Sequence, residues 1–211
     1  RGVRALHLHP TNVKRSAVHL ASGLLVVAAF QFVFTPVSAK WTALAFVVWA
    51  WSLEGARRLS PRVNALCMAF FGPIARDHER YRVNSATWYG TALFVLAFTA
   101  FGPAGVLALL ALAVGDPVAG LVGRRYGQIR LWGGKSLEGS LAFALSASVA
   151  AYLYLLAFQW TLAPVGVLLA LALIAGVTGA VVELLSTRLE DNFTIPVFIA
   201  WVGQGALALL T

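Results

Sequence analysis

The feature that most limits this chain is its alternation of long apolar runs with short basic clusters. Seven runs stand out, at about 17–35, 39–53, 87–101, 103–121, 140–160, 163–185 and 193–210. A helix crossing a hydrocarbon core of ~30 Å needs about 20 apolar residues, and most of the runs approach that length. They are too uniformly apolar for barrel strands, which alternate, and in lipid only a helix or a closed barrel satisfies its own backbone. Composition agrees, with 60% of 211 residues hydrophobic, 11% charged and a mean hydropathy of +0.80. A soluble domain carries about 25% charged residues. The sequence therefore predicts an all-α, polytopic membrane protein of about seven transmembrane helices, forming a single domain over residues 1–211. A soluble monomer and a disordered chain are both excluded. The single cysteine, Cys67, rules out an internal disulfide and a four-cysteine zinc site. The chain opens on Arg1 rather than Met, and no cleavable signal peptide is expected in it.

The charges predict an orientation. With a cytoplasmic N-terminus and seven crossings, one side receives Arg1, Arg4, Lys14, Arg15, Arg57, Arg58, Arg62, Arg76, Arg80, Arg82, Arg124, Arg125, Arg130, Lys135 and Arg188. Lys40 alone falls on the other. That split follows the positive-inside rule, so the net charge of +8 reads as topology rather than as nucleic-acid binding. The acidic residues Glu54, Asp77, Glu79, Asp116, Glu138, Glu183, Glu190 and Asp191 lie near the same face. Carboxylates contribute little to orientation, so their placement calls for a polar site there. The helix middles are Leu, Val, Ala and Phe, which argues against a transport path. Between Glu54 and Ala86, the segment Pro61 to Ile74 is expected as a short interfacial helix. Six of the seven tryptophans fall near helix ends or in a loop, as in an aromatic belt, and Trp201 is expected to pack on a neighbouring helix.

Four stretches hold candidate chemistry. Gly115-Asp116-Pro117 ends the fourth run, where proline is expected to kink or break the helix and present Asp116 with freed backbone groups. Asp116 suits a divalent cation or a nucleotide phosphate arriving with one; helix capping is the alternative. Gly134-Lys135-Ser136-Leu137-Glu138-Gly139-Ser140 offers backbone N–H groups, an ammonium and two hydroxyls to a phosphate chain. It is not a Walker loop, because Ile129 stands where that pattern needs glycine. Glu138 begins a helix and is either a metal ligand or a complement to the helix dipole. Glu183 and the triplet Glu190-Asp191-Asn192 complete an oxygen-rich set suited to a hard cation. Nearer the N-terminus, His19, Glu54, Arg58 and Asn84 are softer candidates for substrate contact or support, and Glu54 and Arg58 are spaced to pair at i, i+4. His78 is a further candidate proton acceptor.

Taken in order, Glu54-x2-Arg57-Arg58, Asn84-x2-Thr87-Trp88-Tyr89, Gly115-Asp116-Pro117-x-Ala119, Gly134-Lys135-Ser136-x-Glu138-Gly139-Ser140, Glu183 and Asp191-Asn192-x2-Ile195-Pro196 resemble the polyprenol kinase family. That family includes dolichol kinase, phytol kinase and the CTP-dependent diacylglycerol kinase, and is related to phosphatidate cytidylyltransferases. The resemblance spans about residues 14–198; it departs at Glu190, where the family often has Asp. It implies transfer of the γ-phosphate of CTP to the hydroxyl of an isoprenoid alcohol or diacylglycerol, with Mg²⁺ as cofactor. It implies Asp116, Lys135 and Asp191 as catalytic residues, and Asp116, Glu138, Glu183 and Asp191 as the metal set. Gly115, Gly134, Lys135, Ser136, Gly139, Ser140 and Asn192 would hold the nucleotide. The expected partners are CTP, a membrane lipid alcohol and the bilayer, with no nucleic acid. The expected setting is an integral, multi-pass place in the membrane, the plasma (inner) membrane if the source is a prokaryote, with the active site facing the cytoplasm. A cytidylyltransferase acting on a lipid phosphate and a lipid transporter are the competing readings.

Overall fold

A computed structural model of the chain describes residues 10–71, 82–159, 161, 163–186 and 190–210. Arg1, Arg4, Arg76, Asp77, His78, Glu79, Arg80, Trp160 and Arg188 lie outside them. The described residues form eight α-helices: α1 Pro10–Phe32, α2 Pro36–Leu59, α3 Pro61–Phe71, α4 Ser85–Thr99, α5 Pro103–Tyr126, α6 Leu137–Phe158, α7 Val165–Leu185 and α8 Asp191–Leu210. Seven match the apolar runs, and α3 is the short helix expected after Ser60.

The local signals are those the sequence displays. Thr35 and Ser38 form a reciprocal capping box ahead of α2, with Pro36 at its first position. Asn84 caps α4, its side chain accepting from the Ala86 N–H at 2.7 Å. Ser136 caps α6, accepting from the Gly139 N–H at 3.1 Å. Of the two outcomes expected at Pro117, the break does not occur: α5 continues to Tyr126 with the proline inside it. The missing N–H frees one carbonyl a turn earlier, and helices packed on both sides hold the backbone in place.

Helix α5 is the centre. Residues Ala104 to Ala113 are buried without a break, and α1, α6, α7 and α8 all pack on it. Helix α4 joins α8 to α2, and α3 extends from α2. In lipid there is no hydrophobic drive between helices, so close approach relies on small residues. Here Phe143 of α6 is fully buried between two glycines. A Cβ on Gly115 of α5 would fall 2.8 Å from its ring, and one on Gly179 of α7 would fall 2.4 Å away.

Among the described residues, five helices are long and apolar enough to cross a membrane: α1 from Val13, α5, α6, α7 and α8. The seven-crossing expectation is thus met by five on these criteria. Helix α4 has 15 residues, which rise only about 22 Å. Helix α2 carries Lys40, Glu54, Arg57 and Arg58.

Candidate active site

Chain direction brings the polar residues to one end of the bundle. The last turns of α5 and α7 meet the first turns of α6 and α8 there, beside residues 15–19 of α1. Buried polar side chains among the described residues are Glu54, Arg57, Thr87, Ser136, Ser148, Glu183, Asn192 and Thr194. Only Ser148 sits mid-helix; the others belong to helix segments at this end. A cavity of about 330 Å³ opens between these helix ends, walled by acids and bases together.

The α5–α6 connection forms one wall. It is a tight loop with an antiparallel bridge between Arg130 and Ser136 and a single helical turn, Trp132–Gly134. Gly133 and Gly134 take φ of 64° and 79°, left-handed values that favour glycine. The Leu131 N–H donates to the Lys135 carbonyl at 2.9 Å, and the Leu137 N–H to that of Ile129 at 2.9 Å. The Glu138 carboxylate reaches back from α6, its Oε1 accepting from the N–H groups of Gln128 at 3.0 Å and Ile129 at 3.2 Å. The loop is thereby stapled to α6.

That loop aims Lys135 across the cavity. Its ammonium donates to Asp191 Oδ2 at 3.1 Å and to Glu183 Oε1, joining α7 to α8. Burial works against the charge on Lys135, but the carboxylates of Asp191 and Glu183 outweigh it and hold the lysine above its ordinary pKa. Asp116 lines the same cavity from α5. Its Oδ2 lies 3.8 Å from His19 Nε2 on α1, beyond hydrogen-bonding reach. His19 Nε2 and Ser140 Oγ are buried with no hydrogen-bond partner; such atoms are costly to leave unmade and mark places for a ligand's polar groups.

Most of the sequence-derived set therefore converges. Asp116, Gly134, Lys135, Ser136, Gly139, Ser140, Glu183, Asp191, Asn192 and His19 all line the cavity. Gly115 and Glu138 do not: Gly115 makes room for Phe143, and Glu138 is committed to the loop. The four carboxylates expected as metal ligands also do not gather, since no group of three or more His, Cys, Asp or Glu among the described residues is placed to hold a metal ion. The donor set fits an ion carried in on a substrate. Mg²⁺ keeps most of its waters and takes one or two carboxylates plus phosphate oxygens, and Asp116, Glu183 and Asp191 offer these across the cavity.

Glu54, Arg58 and Asn84 lie elsewhere. Glu54 is buried on α2 and ties α2 to α4: its Oε1 accepts from the Asn84 N–H at 2.9 Å, from Arg57 at 3.2 Å and from Thr87 Oγ1 at 3.5 Å. The expected pair with Arg58 exists at 3.8 Å, on a half-exposed guanidinium, while Arg57 is the buried partner. Trp88 stacks near Phe193, ring centres 5.9 Å apart, which sets this junction beside the start of α8 without lining the cavity. Trp201 packs on its neighbour as expected, donating from its indole to Thr99 Oγ1 at 3.2 Å. Sequence reasoning missed Arg15, Ser16, Arg124 and Arg130 as cavity wall. In the sequence these three arginines carry a topology signal alone.

No family model matches the chain, and no solved structure matches it. Among curated proteins it is similar to probable phytol kinase 2, chloroplastic, of Oryza sativa subsp. japonica, at 36% identity over 69% of this chain and 55% of that protein. It is similar to probable phytol kinase 1, chloroplastic, of Glycine max, at 28% identity over 87% of this chain and 63% of that protein. It is also similar to the phytol kinase of Synechocystis sp., at 27% identity over 94% of this chain and 82% of that protein. The chain thus spans less than two thirds of the length of these plant proteins.

Proposed function

The chain belongs to the polyprenol/phytol kinase family, and on that premise we propose that it is a lipid-alcohol kinase working at one membrane face. The donor in this reading is CTP, and the acceptor is the hydroxyl of an isoprenoid alcohol of the phytol, polyprenol or dolichol type, or of diacylglycerol. The relatives' names favour phytol among these. The observation that supports it best is Lys135, held between Glu183 and Asp191 in a cavity that Asp116 also lines. Phosphoryl transfer depends on placing groups and neutralising charge, and this cavity has an ammonium, arginines and carboxylates within one small volume.

In this reading Lys135 and Arg130 bind phosphate oxygens, and Ser140 Oγ finds there the partner it lacks. One or two of Asp191, Glu183 and Asp116 would hold Mg²⁺, which would supply charge neutralisation to the phosphates. The alcohol oxygen forms a bond to the γ-phosphorus as the bond to the β-phosphate oxygen breaks. CDP leaves, and the hydroxyl proton passes to a nearby carboxylate or to water. The basic residues flanking this end of the bundle favour the cytoplasmic side of an inner membrane.

Incubating the purified chain with γ-labelled CTP, Mg²⁺ and a panel of lipid alcohols tests the reading, with ATP, GTP and UTP as controls. Label is expected in a lipid monophosphate, with CDP released. Pyrophosphate with a CDP-lipid would identify a cytidylyltransferase instead, and movement of unmodified lipid across the bilayer a transporter.

A further inference from the structure

We infer that the α1 end of the cavity is the acceptor site, where His19 hydrogen-bonds the hydroxyl of the lipid alcohol opposite Asp116; this rests on the kinase reading above. The cavity has two chemically different ends. The loop end, with Arg130, Gly134, Lys135 and Ser140, is rich in cations and turn glycines and suits phosphates. The α1 end contributes Arg15, Ser16 and His19, and His19 faces Asp116.

Two observations point to a hydroxyl at the α1 end. The first is a gap of hydroxyl size. His19 Nε2 is buried without a hydrogen-bond partner and stands 3.8 Å from Asp116 Oδ2. An oxygen about 2.8 Å from each atom bridges them at normal hydrogen-bond lengths. A hydroxyl is the group that does both jobs, donating to the carboxylate while accepting from the imidazole N–H. The second is access. Only 11% of the α1 span is buried, and Val18, Leu20 and Leu24, within about a turn of His19, are exposed. An alcohol reaching the cavity from the bilayer has its apolar tail against this helix as its head meets His19. A water-soluble nucleotide has no use for such a wall.

Phytol and its hydroxyl-free counterpart phytane provide the test, in micelles, with γ-labelled CTP. His19→Ala is expected to raise the KM for phytol about tenfold, the loss of one hydrogen bond of ~1.4 kcal/mol, while the KM for CTP stays within about twofold. His19→Gln, which keeps an N–H, is expected to recover part of the loss. Independently of turnover, phytol should raise the unfolding temperature of the unaltered chain more than phytane does, and His19→Ala should erase that difference. Retention of the CTP-induced shift verifies that the variant is folded. An unchanged phytol KM together with an unchanged phytol-over-phytane difference overturns the inference, as does an equal rise in both KM values. Failure of the unaltered chain to label any alcohol of the panel defeats the kinase reading instead, and the thermal comparison still decides where the hydroxyl binds.

Discussion

Lys135→Met is the substitution with the sharpest consequences. It removes the ammonium joining Glu183 to Asp191 and keeps most of the side chain's length. Breaking a fully buried ion pair by deleting one partner costs about 3–5 kcal/mol. Here the side chains of Glu183, Asp191 and Lys135 are 7%, 18% and 28% exposed, so water screens part of the interaction and about 2 kcal/mol is expected. For a chain of this size that corresponds to a fall of about 4–8 °C in unfolding temperature, measurable by tryptophan fluorescence in micelles. Adding Glu183→Gln should restore about 1 kcal/mol, because the variant then has one fewer uncompensated carboxylate. CTP affinity should fall about 10- to 100-fold, the worth of a hydrogen bond from a charged donor. The pH dependence has a definite sign. A lysine whose folded pKa is raised contributes fully below its unfolded pKa, and that contribution is lost as pH rises through the folded value. The stability gap between the unaltered chain and the variant should therefore be flat from about pH 7 to 9 and narrow only above about pH 10.5. A variant with unchanged unfolding temperature and unchanged CTP affinity would refute the placement of Lys135 at the centre of the site.

Two further substitutions separate packing from chemistry. Gly179→Ala puts a methyl 2.4 Å from the Phe143 ring; an overpacking cost of about 1–3 kcal/mol is expected, partly relieved by Phe143→Leu in the double variant, and strict additivity in thermal unfolding would count against the contact. Glu138→Gln keeps a carbonyl oxygen for the Gln128 and Ile129 N–H groups, so activity and its Mg²⁺ dependence should stay near normal whereas Glu138→Ala loses activity; a raised Mg²⁺ requirement in the glutamine variant would return Glu138 to the metal.

The residues legible in the sequence are those whose surroundings are dictated locally. Asp116, Lys135, Glu183 and Asp191 stand at boundaries between apolar runs and polar connections, and in an antiparallel bundle alternate ends share a face. Their meeting follows from helix direction alone. Glu138 has the same sequence appearance but a different job, because its partners are two N–H groups exposed by the loop's own turn. Gly115 next to Asp116 invites a ligand reading, yet the ring that needs its space, Phe143, comes from another helix. The spacing Glu54 to Arg58 fits a helix-surface pair, but α4 covers that side of Glu54 and makes Arg57 the buried partner. Pro117 allows a break where tertiary packing preserves a continuous helix. In each case the deciding contact lies between helices that sequence periodicity does not relate.

The same packing accounts for how the charged cluster is held in place. Gly115 precedes Asp116 directly, and Gly179 lies one turn before Glu183. Phe143 fills the space between those two glycines. The separation of the Asp116 and Glu183 backbones, on α5 and α7, is therefore set by one rigid ring beneath them. Above that wedge, the Lys135 ion pairs fix Glu183 to Asp191 and thus α7 to α8. Apolar packing sets one carboxylate spacing and an ammonium sets the other. Only the second can be exchanged: when phosphate draws Lys135 away, the freed Glu183 and Asp191 are left for a divalent cation. Nucleotide and cation should then bind with positive coupling, each relieving the charge left by the other.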